Sequence, residues 1–270
     1  MKQFAAAVAL FITFFTGAQQ QSSTTRAGWP CGARLDLSYF QIAEGTGGHL
    51  LLLAPEEITD SATLLTAFGS HRQTIFRLAG SLTPGLHEFH VPIDSSVESV
   101  VFSISVQCLQ VADVIPPSGA FANREAVTDL SNFRAERMVV VQRPEPGMWT
   151  VRASGSGISG IVVQARSAIG ISQVEFAPAS GTVFGPRPSP GVENAVRIGV
   201  SGGASEIQAS LVNGQFQPIG KLPREAGESP ESYVSRFTPG GDAFRVLIAG
   251  KDSEGFTFQR MYAPLFTPTR

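Results

Sequence analysis

Val100-Val101-Phe102-Ser103-Ile104-Ser105-Val106 sets Val100, Phe102, Ile104 and Val106 on one side of an extended chain and Ser103 and Ser105 on the other. Successive side chains of a strand point to opposite faces, so this period of two marks a strand that buries one face. The same spacing recurs outward from this stretch in short segments separated by Gly, Pro, Asn and Ser. Thr74 to Ala79, Leu86 to Val91, Arg137 to Gln142, Met148 to Arg152 and Gly160 to Ala165 form one set, enough for one sandwich. A second set begins near Ile171 and continues through Ala195 to Val200, Ile207 to Val212, Tyr233 to Phe237, Phe244 to Ile248 and Phe256 to Met261. The expected fold class is therefore mainly β, with two β-sandwich domains over residues 71–168 and 169–266 and a linker near Ser167 to Ile171.

The turn chemistry supports this division into short strands. Pro144-Glu145-Pro146-Gly147 reads as a turn, and Trp149 and Val151 follow it on one face of the next strand, with Trp149 expected in the core. Asn213-Gly214 is a strong two-residue hairpin signal, since both residues tolerate positive φ. Gly181 to Gly191 is rich in proline, which forbids a central strand and implies an exposed loop or an edge.

Leu35 to Phe68 follows a different pattern. Leu37, Phe40 and Ile42 stand at helical spacing before Gly45-Thr46-Gly47-Gly48, whose glycines stop a helix. Leu50 to Leu53 reads as a buried strand. Pro55-Glu56-Glu57 reads as the first turn of a second helix running to about Phe68, with its proline at the start and its acids near the positive end of the dipole. Residues 35–70 are thus expected as a short helix-strand-helix segment in front of the sandwiches.

With 270 residues, 43% of them hydrophobic, the chain can build two cores. Met1-Lys2, the apolar run Phe4 to Phe15 and the small residues Thr16-Gly17-Ala18 read as a cleaved export signal over 1–18, followed by a flexible segment over 19–34. An uncleaved anchor is the alternative, although the run is shorter than the ~20 residues that a spanning helix needs. No later stretch is long enough to span a membrane, so the expected location is secreted. A net charge of −2 with scattered Lys and Arg argues against nucleic acid as a partner. Cys31 and Cys108 are the only thiols. In an oxidising compartment they either form one disulfide or stay unpaired.

The chemistry-bearing residues do not assemble into a known reaction centre. His87 and His90 lie three apart on a strand and point to opposite faces, which disfavours a shared metal. Gly155-Ser156-Gly157 belongs to a Gly/Ser-rich turn between two strands, whereas a nucleophile elbow needs a strand-to-helix setting. Asp242, Asp252 and Glu254 are the acids to examine for calcium, with solvated turn carboxylates as the simpler reading. No catalytic residue, cofactor or metal site is assigned.

Other residues carry a resemblance. Phe40-Gln41-Ile42-Ala43 followed by Gly45-Thr46-Gly47-Gly48-His49-Leu50 resembles the last helix-to-strand passage of von Willebrand factor A domains. Val91-Pro92-Ile93-Asp94-Ser95-Ser96 and Pro146-Gly147-Met148-Trp149-Thr150-Val151 resemble the β-domain that follows it in hemicentins and similar extracellular proteins. Phe237-Thr238-Pro239, Phe244-Arg245-Val246 and Gly250-Lys251-Asp252-Ser253-Glu254-Gly255-Phe256 are similar to the closing strands of the immunoglobulin-like domain that comes next. The resemblance covers Phe40 to about Tyr262 and implies that the sandwiches are immunoglobulin-like. It stops short of the metal-dependent adhesion site. Asp94-Ser95-Ser96-Val97-Glu98 has Glu98 where the Asp-x-Ser-x-Ser loop needs its second serine, and Asp36-Leu37-Ser38-Tyr39-Phe40 fails at Phe40.

The expected function is that of a non-enzymatic extracellular binding or scaffold module whose partner is an extracellular protein or a glycan. In the carbohydrate-binding alternative Trp29, Tyr39 and Phe184 are the candidate platforms, each in a segment read as non-strand or boundary. A third possibility is an accessory domain of a secreted hydrolase.

Overall fold

The computed structural model describes residues 31–267 apart from 33, 70, 122–123, 180, 182 and 226–231. The export signal, the segment before Cys31 and Trp29 lie outside the described residues. The chain is mainly β, in three antiparallel sheets arranged as a sandwich requires.

Strands β1 (Gln73–Leu82), β2 (Leu86–Ile93), β3 (Val97–Val106), β4 (Val111–Ile115), β5 (Val127–Asn132), β6 (Glu136–Gln142), β7 (Gly147–Ser154) and β8 (Gly157–Ser167) build the first part. Five of them lie in the order β1-β8-β3-β6-β5, and β2-β7-β4 form a second layer. Val100, Phe102, Ile104 and Val106 point between the layers and meet Val91, Ile93, Trp149 and Val151. Trp149 is fully enclosed, and its Nε1 donates to Glu145 O at 2.8 Å, which satisfies the indole donor. β4 and β5 were not read from the sequence. Both lie at sheet edges and are short, and β5 carries a register irregularity between Asp129 and Ser131.

The other face of β3 differs from the simple expectation. Ser103 and Ser105 are buried rather than solvent-facing, because Leu51, Leu53, Leu64 and Phe68 pack over Val101, Met138 and Val140 as a third layer. Leu50 makes only an isolated bridge, and Leu51 to Leu53 run as irregular buried chain instead of a strand. The expected second helix breaks into two 3-10 turns, Pro55–Glu57 and Thr59–Ser61, before α2, labelled after α1 (Leu37–Thr46), spans Ala62–Ala67. Glu57 folds back so that the Ala54 N–H donates to its carboxylate at 2.7 Å, a capping contact at the start of the first turn.

In α1, Asp36 caps the start by accepting from Ser38 N at 2.9 Å. Gly47 ends it at φ 73°, and an added Cβ would lie 2.8 Å from Ala263 Cβ. The buried positions are Ala43 and Glu44, while Leu37 and Ile42 remain exposed. The helix therefore docks through charge. The Glu44 carboxylate lies 2.6 Å from Arg77 Nη2 of β1 and also accepts from Arg245.

β9 (Gly170–Pro178), β10 (Asn194–Ser201), β11 (Ser205–Val212), β12 (Pro218–Leu222), β13 (Ser232–Phe237), β14 (Arg245–Lys251) and β15 (Thr257–Met261) form the rest. They pair as β13-β10-β9 and β12-β11-β14-β15 around Phe176, Ile198, Val246, Ile248 and Phe258. A single register pair, Thr74 with Met261, joins β1 to β15 and makes one nine-stranded sheet across the molecule. At Asn213-Gly214 the chain does turn back, yet through a longer loop. Asn213 Oδ1 accepts from the N–H groups of Gln215 and Gln217, both at 2.9 Å, and Phe216 rather than Asn213 or Gly214 takes positive φ. The reason is tertiary. Phe216 packs on Phe76 with ring centroids 4.6 Å apart, and Gly214 O accepts from Ala79 N. In the proline-rich stretch, Gly185 exchanges two hydrogen bonds with Phe176 and covers part of the free edge of β9.

A second buried polar knot ties the β2–β3 turn to the last strands. Arg260 Nη2 lies 2.7 Å from Asp94 Oδ2, and Arg260 Nε donates to Ile169 O at 2.9 Å. Ser96 Oγ meets Ser167 Oγ at 2.8 Å.

Candidate functional site

The β4–β5 connection and the β6–β7 turn meet at one end of the first sandwich. Gly147 is at φ 140°, and an added Cβ there would lie 2.8 Å from Pro117 Cγ, so glycine permits the close approach. Ser118 Oγ donates to Glu145 at 2.8 Å and fastens the two loops. Between them opens a cleft of about 170 Å³. Its walls are Phe121, Val141, Pro144 and Trp149, and its polar groups are Gln142, Arg143 and Glu145. Phe121 and Trp149 rings stand 5.8 Å apart, with Trp149 forming the buried floor. Arg143 holds φ at 47°, an unusual value for a residue with a side chain, while its N–H donates to Glu98 O at 2.8 Å. An apolar wall with a few convergent polar groups can hold a small polar ligand.

The sequence-derived candidates are not gathered there. Tyr39 is half-buried on α1, beside Leu35, Leu50 and Leu52. Phe184 is half-buried in the proline-rich segment, with the Arg197 guanidinium 3.8 Å above its ring. Cys31 and Cys108 are joined by a disulfide that ties the chain ahead of α1 to the end of β3. Ser156 lies in the β7–β8 turn, where its carbonyl accepts from Cys108 N at 2.9 Å. His87 Nε2 lies 2.8 Å from Thr83 O, and His90 Nδ1 lies 3.3 Å from Thr150 Oγ1.

Of the three acids, Asp242 and Glu254 are exposed and Asp252 is buried. Asp252 accepts from Ser95 N, Ser95 Oγ, Glu254 N and Phe256 N at 2.7–2.9 Å. Burial raises its carboxyl, but these donors together outweigh burial and hold it below the usual range. Its Oδ1 is committed to the β14–β15 turn and its Oδ2 to Ser95 in the β2–β3 turn. Among the described residues no group of three His, Cys, Asp or Glu side chains is placed to hold a metal ion.

Two titratable groups depart further from their ordinary values, both under the N-terminal cover. Burial pushes Glu136 up to about 8, against the opposing hydrogen bonds of Ser105 and Ser103. Burial and then the Arg77 cation push His49 down to about 3. His49 stacks on Phe68 at 3.7 Å. Neither opens onto the cleft.

Sequence reasoning foresaw Trp149 and the turn at Pro144, but missed the opposite wall. Val111 to Ile115 alternates too briefly to stand out, and Pro116-Pro117 masks its continuation as ordinary loop.

Fold and cleft together define a β-sandwich module with a cleft at its loop end. Within it, residues 76–168, from β1 to just past β8, match the family model "Hemicentin galactose-binding domain-like". Hemicentin-1 of Mus musculus is 24% identical over 243 residues, covering 85% of this chain and 4% of that protein. Hemicentin-1 of Homo sapiens is 23% identical over 242 residues, with the same coverage. The chain thus spans a small fraction of the relatives that it matches. Two solved structures show partial likeness. One is a Bacillus licheniformis lipase, BlEst2, in its propeptide form, with TM-score 0.34, 12% identity, and coverage of 70% of this chain and 40% of that one. The other is a DUF4785 family protein of Legionella pneumophila, with TM-score 0.41, 12% identity, and coverage of 73% and 66%. The family match and the hemicentin relatives support a hemicentin-like domain over 76–168.

Proposed function

We propose that this chain is an exported, non-catalytic binding module of hemicentin-like kind, and that the cleft above Trp149 is its ligand seat. One observation carries the reading. The stretch matching a galactose-binding-like family is the eight-stranded sandwich, and the cleft lies at its loop end, within that stretch. The apolar run Phe4 to Phe15 and the disulfide support export. The disulfide also consumes both thiols, leaving no cysteine nucleophile. Residues 170–261 form four strands against three, which supports the immunoglobulin-like reading of that part.

Within this function an extracellular protein and a glycan are both ligand classes, and the cleft favours a glycan. Phe121, above the enclosed Trp149, offers apolar ring surface beside Gln142, Arg143 and Glu145, which can hydrogen-bond to hydroxyl groups. A glycan array probed with the full chain should return sugars whose binding falls at least tenfold in Phe121→Ala and Glu145→Ala. Platforms at Tyr39 and Phe184 would instead make Tyr39→Ala or Phe184→Ala the sensitive variants. An array without hits, together with a partner protein captured in a Phe121-dependent way, would replace the glycan reading with the scaffold reading.

A further inference from the structure

Eight described arginines are ion-paired with carboxylates. Arg72, Arg143 and Arg166 have no carboxylate partner among the described residues; Arg72 and Arg166 meet at one end of the five-stranded layer, and Arg143 follows β6 at that same end. Ser99 is the centre of that group. It is the register partner of Arg166 on β8 and of Gln142 on β6. Arg72 lies over it, with Nη1 3.3 Å from Ser99 Oγ and 3.4 Å from Ser99 O. Arg143 follows Gln142 and donates its N–H to Glu98, next to Ser99. Neighbouring strands lie about 4.8 Å apart, so the row Arg166–Ser99–Gln142 spans about 10 Å, room for more than one anionic group.

We infer that Arg72, Arg143 and Arg166, with Ser99 and Gln142 between them, bind the sulfate or carboxylate groups of an acidic polysaccharide. Guanidinium groups suit this task because their forked donors match the geometry of oxyanions. The charge is uncompensated inside the protein. Arg72 is half-buried, and burial followed by the Arg166 cation pulls its pKa down, so a bound anion would relieve both. The backbone points the same way. Two of the four described non-glycine residues at positive φ, His71 at 74° and Arg143 at 47°, flank this row, and local strain of this kind persists where function requires it. A net charge of −2 and only three cations argue against nucleic acid, whose phosphates demand a longer basic surface. The glycan choice rests on the cleft reading above, because Gln142 at the end of the row and Arg143 beside it also line the cleft.

The test uses the full chain and calorimetric titration with heparin, desulfated heparin and inorganic sulfate at low and physiological salt. Heparin should bind, weaken steeply with salt, and outbind desulfated heparin at least tenfold, while inorganic sulfate competes at high concentration. Arg166→Gln and Arg143→Gln, both at exposed positions, should each weaken heparin at least fivefold. Arg152→Gln, on the three-stranded layer and already paired with Glu88, should leave binding unchanged. Arg72→Gln should weaken it as well, and Arg143→Gly should lose affinity while keeping the thermal midpoint. No heparin binding at low salt, equal binding of the desulfated chain, equal binding of an oligonucleotide of the same charge, or an Arg143→Gln/Arg166→Gln variant that binds like the parent would each overturn the site. If Phe121→Ala and Glu145→Ala leave heparin binding intact while the arginine variants abolish it, the arginine site stands and the cleft reading falls.

Discussion

Glu136 and His49 show what burial does to single residues. Both lie where the N-terminal segment covers the five-stranded layer, and both are pushed toward the neutral form. The folded pKa of Glu136, about 8, lies above its ordinary 4.5. The unfolded chain therefore ionises first as pH rises, and stability falls between pH 4.5 and 8. The folded pKa of His49, about 3, lies below its ordinary 6.5, so its contribution is lost as pH falls from 6.5 toward 3. The two slopes oppose each other between pH 4.5 and 6.5, each limited to about 1.4 kcal/mol per pH unit. Their sum is a plateau there and a decline on either side. Glu136→Gln keeps the shape and the serine contacts while removing the ionisation, so its stability should rise through pH 4.5–6.5 on the His49 slope alone and stay level above pH 6.5 instead of declining. Urea midpoints from pH 4 to 9 would check this, and a parent whose stability rises from pH 6.5 to 8 would refute it. None of this was legible in the sequence. Ser103 and Ser105 read as an ordinary polar face, since nothing local says that Leu51, Leu53 and Phe68 will be folded over the sheet there. Trp149 was legible, because an aromatic residue alternating with Val151 after a tight turn points inward by periodicity alone.

At the scale of elements, the strands with a strong apolar alternation were readable and the rest were not. β3, β6, β7 and β8 carry their burial in their own spacing, whereas β4 and β5 are edge strands set by their partners. The segment over 37–67 was misread in part because its docking is not amphipathic. α1 buries Ala43 and Glu44 and leaves Leu37 in solvent, so hydrophobic periodicity misidentifies its inner face. What retains this segment is a covalent tether at one end and Leu51, Leu53, Leu64 and Phe68 further on. The Cys31–Cys108 bond closes a separation of 77 residues, which in the chain-entropy account is worth about 4 kcal/mol. Paired Cys31→Ser and Cys108→Ser substitution should lower the unfolding free energy by about that much, and reductant should shift the parent to the same denaturant midpoint. A parent insensitive to reductant would show that the sheet contacts alone hold the cover.

The whole molecule is joined by long-range ion pairs, which is why its unity was invisible in a sequence that divides so evenly into two sets of strands. One backbone register pair connects β1 to β15, and a single carboxylate reinforces it. Glu44 of α1 reaches Arg77 on β1 and Arg245 on β14, residues that are respectively 33 and 201 positions away. Removing one member of a buried pair leaves charge without a partner and costs about 3–5 kcal/mol. Glu44→Gln strands two guanidinium groups at once and should reach at least the upper part of that range. Its form of unfolding should change as well. Because Glu44 couples the core around Phe102 to the core around Phe258, its loss should turn a single calorimetric transition into two partly resolved ones. Replacing Glu44, Arg77 and Arg245 together by apolar residues of similar volume should restore much of the stability, since the stranded charges disappear with the carboxylate. A Glu44→Gln protein that still melts in one sharp step would place the coupling elsewhere, in the Asp94–Arg260 knot or in Phe216 against Phe76, and the same substitution logic then applies at Asp94.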